Sequence, residues 1–187
     1  MQEIYFELKV DEDIVLKLRN QSHLKEMYEI TKNNIDRLKP WLSWATDSIV
    51  IEETEAFIQR NQEGFLSKES LDLGIFYQGK LIGSAGFHGM VKSDRKAAIG
   101  YWIDKNHEGQ GIVTKSMRCL IEYGFGELDL NRLEILCGEG NKESRAVAER
   151  LGFVLEGKMR QYHIINGVMI DDLIFSLLKE DFLKNKN

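Results

Sequence analysis

The hydrophobic period of the chain switches repeatedly between two and about 3.6 residues, and that alternation limits the fold more than any other feature. Ile4, Phe6 and Leu8 alternate, as do Ile14, Leu16 and Leu18 after the polar Asp11-Glu12-Asp13. This predicts a short hairpin or two strand segments. Leu24, Met27, Tyr28, Thr31 and Ile35 then share one helical face, and Pro40 ends that segment. Ser48 is a candidate cap for a second helix, with Glu53 and Glu55 near its start and its end near Ser67. Leu73, Ile75 and Tyr77 return to strand period, Gln78-Gly79 turns the chain, and residues 80–87 form the return strand. A polar loop at 92–96 leads to a strand at 98–103 and a polar turn at 104–110. Met117, Leu120, Ile121, Gly124 and Phe125 mark a helix, residues 133–137 a strand, and residues 141–151 a helix capped by Gly152. Two long strands, Val154–Ile165 and Val168–Leu178, meet across Asn166-Gly167, the strongest hairpin signal in the chain. Strands, two helices, three strands, helix, strand, helix and hairpin predict one mixed α/β domain around a single sheet.

Size and charge narrow the function classes. At 187 residues a single domain, 1–187, is expected, with the charged residues 179–187 fraying as a tail. The net charge of −5 argues against gripping nucleic acid or anionic lipid through overall charge, and leaves a basic substrate open. Two cysteines, Cys119 and Cys137, exclude a disulfide framework and favour a reduced, cytoplasmic setting. The first ten residues carry Glu3 and Glu7 and do not read as a signal peptide, and no apolar run is long enough to span a membrane. His23 and His88 show no metal-ligand spacing, so no metal is expected.

The chemistry concentrates in Gly100-Tyr101-Trp102-Ile103, followed after a polar turn by Glu108-Gly109-Gln110-Gly111-Ile112-Val113-Thr114. This reads as strand, glycine turn and helix start. First-turn amides of a helix have no intrahelical partner and, with the helix dipole, favour an anion. Gly109 and Gly111 leave room for a phosphate to approach that backbone, and Thr114 adds a hydroxyl. A tight turn alone would explain the glycines equally. The segment is not a Walker A loop, and it lacks the third glycine of a dinucleotide fingerprint.

These residues resemble the strand-loop-helix of the GCN5-related N-acetyltransferases (GNAT), in which the loop clasps the pyrophosphate of acetyl-CoA. The segment from Asn141 and Ser144 to Leu151-Gly152-Phe153 is similar to that superfamily's next helix. Leu38-Lys39-Pro40-Trp41-Leu42-Ser43-Trp44, and Leu155-Glu156-Gly157-Lys158-Met159-Arg160 with Asn166-Gly167, resemble the ribosomal-protein N-terminal acetyltransferase (RimL/RimJ-like) branch. The likeness spans nearly the whole chain. It implies a GNAT-type fold: a mostly antiparallel mixed sheet with flanking helices and a splayed central strand pair. It also implies acetyl transfer from acetyl-CoA to an amine in a ternary complex. The acceptor would be a protein N-terminal α-amine, with a small amine such as a polyamine, amino acid or antibiotic as the alternative, and a CoA-binding module without efficient catalysis as a further one. The chain would be a monomer or homodimer.

Roles follow from the same resemblance. Pantetheine would pair with the open backbone of Trp102 and Ile103, and the 108–114 loop would hold the pyrophosphate. Asn141 would cap its helix and contact pantetheine. Ser144 would protonate the departing sulfur, or simply satisfy its helix start. Trp41, Trp44 and Tyr101 would line the acceptor groove, although core burial is the default for tryptophan. Cys137 reads as a small core residue, with an acyl-cysteine as the alternative.

Three positions depart from the family pattern. Glu108 stands where the family loop has Gln or Arg, so its carboxylate should turn away or pair with Lys105 or Lys115. Val113 stands at a usual Gly or Ala. His163 replaces the glutamate proposed as general base. Its intrinsic pKa suits a base, although a solvated strand histidine would explain it too.

Overall fold

The computed structural model describes residues 4–184. Among these, eight strands form one sheet: β1 (Glu7–Lys9), β2 (Ile14–Leu18), β3 (Leu71–Tyr77), β4 (Lys80–Val91), β5 (Lys96–Ile103), β6 (Arg132–Gly138), β7 (Val154–Ile165) and β8 (Val168–Leu178). Their order across the sheet is β1-β2-β3-β4-β5-β6-β8-β7. The helices are α1 (Leu24–Asn33), α2 (Ile35–Leu38), α3 (Ile51–Ser67), α4 (Ile112–Gly126), α5 (Lys142–Arg150) and α6 (Lys179–Lys184). This is the mixed α/β architecture that the period changes predict.

Neighbouring strands run antiparallel except β5 and β6, which pair in parallel only over Lys96, Ala97 and Ala98 against Arg132, Leu133 and Glu134. Beyond those residues the two strands part. On its far side β5 remains bound to β4 up to Ile103, and β6 remains bound to β8 up to Gly138. The sheet is therefore intact on both flanks and open in the middle, with backbone groups left along both lips of the cleft. Helix α4 follows β5 and buries Met117, Leu120, Ile121, Gly124 and Phe125, the face its spacing predicts. Gly124 is required by this packing: a Cβ there would sit 2.8 Å from Phe87 Cζ.

Several boundaries differ from the sequence reading: β4 runs on to Val91 and β5 starts at Lys96, and three further differences have a clear physical cause. The first helix breaks at Asn34, whose buried amide donates to Ile30 O at 2.8 Å and to Asp104 Oδ1 at 2.8 Å. Helix α3 starts at Ile51 rather than behind Ser48, because Ser48 Oγ is engaged with Thr46 Oγ1 at 3.2 Å and Glu53 reaches back to the Val50 amide at 3.5 Å. The stretch expected to fray is helical over 179–184, since Phe182 is buried against Phe125 with ring centroids 5.5 Å apart. Residues 185–187 of that stretch lie outside the described residues.

Candidate active site

The connection from β5 into α4 is held from below. Asp104, 7% exposed, accepts from Asn34 and from the Asn106 amide (3.3 Å), and its Oδ2 lies 2.9 Å from His107 Nδ1. Asn34 Oδ1 in turn accepts from the Lys105 amide at 3.0 Å. Burial alone would raise the Asp104 carboxyl. The hydrogen bonds from Asn34, His107 and Asn106 outweigh it and hold that carboxyl below its ordinary value. The turn that follows is fixed at its start, while Gly109 and Gly111 adopt positive φ of 70° and 75° with no atom within 4 Å of a built Cβ. Helix α4 begins behind Gly111 with no side-chain cap. The first-turn amides thus face an uncluttered surface, where a side chain on either glycine would project.

Around this surface the departures from pattern resolve. Glu108 forms an ion pair with Arg37 of α2, not with Lys105 or Lys115 as expected. Lys115 is held instead by Asp11 at 2.8 Å. The loop carboxylate is neutralised locally, which removes its repulsion of an incoming anion. Val113 turns its side chain toward the core, so its bulk does not occupy the loop surface. Thr114 Oγ1 accepts from Arg150 Nη1 at 3.1 Å, which brings a cation from the end of α5 to the first turn of α4. Gln110 folds back on Asn106 O at 3.1 Å. These residues could hold a pyrophosphate. Trp102 and Ile103, half-buried, occupy the β5 lip of the cleft that leads away from it, and Trp102 packs against the Met27, Phe76 and Leu81 cluster.

At the end of β6 a second group assembles. Asn141 caps α5 by accepting from the Ser144 amide at 3.0 Å. Tyr101 OH lies 3.0 Å from Ser144 Oγ and donates to Ser144 O at 3.1 Å. The structure therefore joins Tyr101 to Ser144, where the sequence reading had grouped it with the tryptophans. Burial pushes the Tyr101 phenol up to about 12, so it stays protonated and can donate at neutral pH. Burial also pushes the Cys137 thiol up, and a hydrogen bond with Ser144 pulls it part of the way back. A buried, protonated thiol is a poor nucleophile.

A third group faces the same strand end. A Cβ on Gly138 would lie 3.2 Å from Trp41 Cε3, and one on Gly140 3.3 Å from Trp41 Cη2, so the indole rests on glycine backbone. Trp44, 49% exposed, stands outside that contact. The Pro40 loop is tied to the β7–β8 hairpin by Asn166 Nδ2, which donates to Lys39 O at 2.9 Å. On the hairpin, His163 Nδ1 lies 2.9 Å from Asp172 Oδ2. Burial raises the Asp172 carboxyl, and His163 acts against that rise.

Sequence reading missed Arg37, Asn34, Asp104, Arg150 and Asp172. The first four come from helices and loops whose approach no local pattern encodes. Asp172 did leave a signal. A two-residue turn at Asn166-Gly167 pairs His163 with Ile170, which puts Asp172 on the same face two residues along.

A mixed sheet parted at its centre, ahead of uncapped helix amides, is the fold that the family resemblance implies. The chain matches the acetyltransferase (GNAT) domain family over residues 14–154 and belongs to that family. It is 38% identical over 178 residues, 95% of this chain and 97% of the relative, to "Putative ribosomal N-acetyltransferase YdaF" of Bacillus subtilis (strain 168). It is 32% identical over 168 residues, 88% of this chain and 92% of the relative, to the ribosomal-protein-serine acetyltransferase of Escherichia coli (strain K12). Among solved structures it resembles RimL, a ribosomal L7/L12 α-N-protein acetyltransferase, in complex with coenzyme A. That match has a TM-score of 0.90 and 28% identity, covering 94% of this chain and 99% of that one.

Proposed function

We propose that the chain is an acetyl-CoA-dependent N-acetyltransferase acting on a protein N-terminal α-amine of the ribosomal-protein kind. The observation that carries this reading is the cleft between β5 and β6, which leads from the open amides of α4 to the Tyr101–Ser144–Cys137 group. Acetyl-CoA supplies the activated acetyl group. The 108–114 loop binds its pyrophosphate, with Glu108 neutralised by Arg37. Trp102 and Ile103 pair with Ser84 and Gly83 of β4 and have no partner strand on the β6 side, where pantetheine would lie.

His163 takes the proton lost by the amine as nitrogen bonds to the acetyl carbon. Ser144, backed by the Tyr101 hydroxyl, gives a proton to the sulfur as its bond to that carbon breaks. Both groups then revert through solvent. Burial pushes the Cys137 thiol up, which favours direct transfer over an acyl-cysteine. Trp41 and Trp44 border the acceptor entrance.

The acceptor class follows from acid–base arithmetic. With a pKa of about 7.7–8.0, an α-amine is neutral roughly a tenth of the time at neutral pH, whereas a lysine side chain is neutral on the order of one part in a thousand. A half-exposed histidine suffices for the first. The relatives named for ribosomal-protein acetylation support the same class. Thiol release is to be followed with acetyl-CoA and a panel of free-N-terminus peptides, α-blocked peptides, polyamines and amino acids. Release with free-N-terminus peptides alone is expected. Turnover of small amines only, or binding of acetyl-CoA without release across the panel, contradicts the proposal.

A further inference from the structure

The β7–β8 hairpin carries a carboxylate, Asp172, that takes no part in the proton transfers themselves. The strands keep regular pairing from the Asn166-Gly167 turn back to His163 and Ile170, then lose register before Met159 pairs with Asp172. Gln161 sits in this irregularity with a φ of 50°, and its amide donates to Asp171 Oδ1 at 2.8 Å. A bulge of this kind re-aims the side chains beside it. Here the two adjacent carboxylates separate. Asp171 is bound to the bulge and to Lys158 at 3.2 Å. Asp172 turns inward, with 4% of its side chain exposed, and meets His163 Nδ1 through Oδ2.

Asp172 is held between functional neighbours. It pairs across the sheet with Gly138, on which Trp41 rests, and its charge is felt by the Cys137 thiol on β6. The groups acting on the pair are thus Asp171 on β8, Cys137 on β6 and the Tyr162 ring beside His163, 6.2 Å away between centroids. Asp172 Oδ1 is buried without a hydrogen-bond partner. A carboxylate placed only to brace a hairpin would be expected at the surface or fully bonded, because a buried unsatisfied oxygen is costly. His163, by contrast, keeps 32% of its side chain exposed, so the pair runs from the interior outward to an accessible ring.

We propose that Asp172 is a positioning residue for His163: it accepts from Nδ1–H, fixes that tautomer, and so presents Nε2 as the proton acceptor toward the incoming amine. The proposal rests on the reading of His163 as the base. A carboxylate behind the imidazole also stabilises the positive charge that develops when Nε2 takes the proton. The replacement of a family glutamate by His163 is then a replacement by two residues, with the negative charge moved one group inward.

The ring tautomer is measured first, by nitrogen-15 NMR of histidine-labelled protein without any acceptor, with His163→Ala assigning the signal. A His163 ring protonated at Nδ1 in its neutral form is expected, and Asp172→Asn, which can turn an N–H donor toward Nδ1, should shift it toward Nε2–H. In steady-state assays Asp172→Asn should lower kcat by roughly tenfold or more, with the KM for acetyl-CoA within about twofold, and His163→Ala should lower kcat by about a hundredfold. The double variant should be no slower than His163→Ala alone. An Nε2–H tautomer in the unsubstituted protein overturns the proposal whether or not the variants fold. So does a slow His163→Ala beside an Asp172→Asn of full rate, while leaving His163 as the base. Full rate in His163→Ala overturns the base reading itself, and this inference with it.

Discussion

Single residues decide whether the anion surface and the proton path work. Gly111 combines a positive φ of 75° with open space where a side chain would stand. Gly111→Asp would project a carboxylate toward the place assigned to the pyrophosphate, in a backbone region that aspartate tolerates better than most residues. Affinity for acetyl-CoA in titration calorimetry should fall by roughly tenfold or more, equivalent to about 1.4 kcal/mol, with the fold retained. Unchanged affinity would place the anion elsewhere. Ser144 offers a separable test. Its amide, not its hydroxyl, is held by Asn141, and Tyr101 also bonds its carbonyl, so Ser144→Ala should leave α5 in place. A fall in kcat of about a hundredfold with little change in melting temperature is expected if the hydroxyl supplies the proton. Equal kcat would reduce Ser144 to a helix-start residue. The glycine turn was legible as a strand-turn-helix pattern, and Ser144 was named only through the family resemblance. The neutralisation of Glu108 was not legible, because Arg37 lies far away in sequence and no periodicity reports which cation a loop carboxylate will meet.

At the scale of elements, the cleft depends on how firmly β6 is held to one side. Arg132, at the start of β6, binds Glu134 at 2.6 Å and grips Glu156 of β7 through two bonds of 2.8 and 2.6 Å, and Ser176 of β8 donates to Glu156 at 2.6 Å. Three strands are thereby fastened beside the point where β5 leaves. Arg132, and after it Ser176, hold the Glu156 carboxyl down to about 2 from its ordinary 4.5. A depressed carboxylate contributes stability that is fully present above its unfolded value. That contribution is lost as pH falls from 4.5 through about 2. Since 40% of the Glu156 side chain is exposed, solvent screening limits it to about 1 kcal/mol. Glu156→Gln should lower the melting temperature at neutral pH by roughly 2–4 °C, with the difference closing in acid. A difference that persists near pH 2, or none at neutral pH, would remove the pair from the account. The strands and α4 were legible from period and burial face. The break at Asn34 and the docked α6 were not, since each is set by a distant partner, Asp104 in one case and Phe125 in the other.

For the whole molecule, the order of elements pointed to a mixed α/β domain around one sheet, and the likeness of its motifs added the splayed strand pair. What they could not give is the closure of the site by three separate parts of the chain: the Pro40 loop, the end of β6 and the hairpin. The Asn166–Lys39 contact and the rest of Trp41 on Gly138 and Gly140 are products of tertiary packing. On the proposed reading the anion would meet local backbone, with Arg150 close by at Thr114, while the net charge of −5 bears on the second substrate. An acidic surface attracts a basic polypeptide over about a Debye length. Position-resolved mass spectrometry tests the central claim most directly, using a basic peptide that carries both a free α-amine and lysine side chains, incubated with acetyl-CoA and the protein. The account predicts acetylation at the α-nitrogen ahead of any lysine. Acetylation confined to lysine side chains, or none while polyamines are acetylated in parallel, would contradict it.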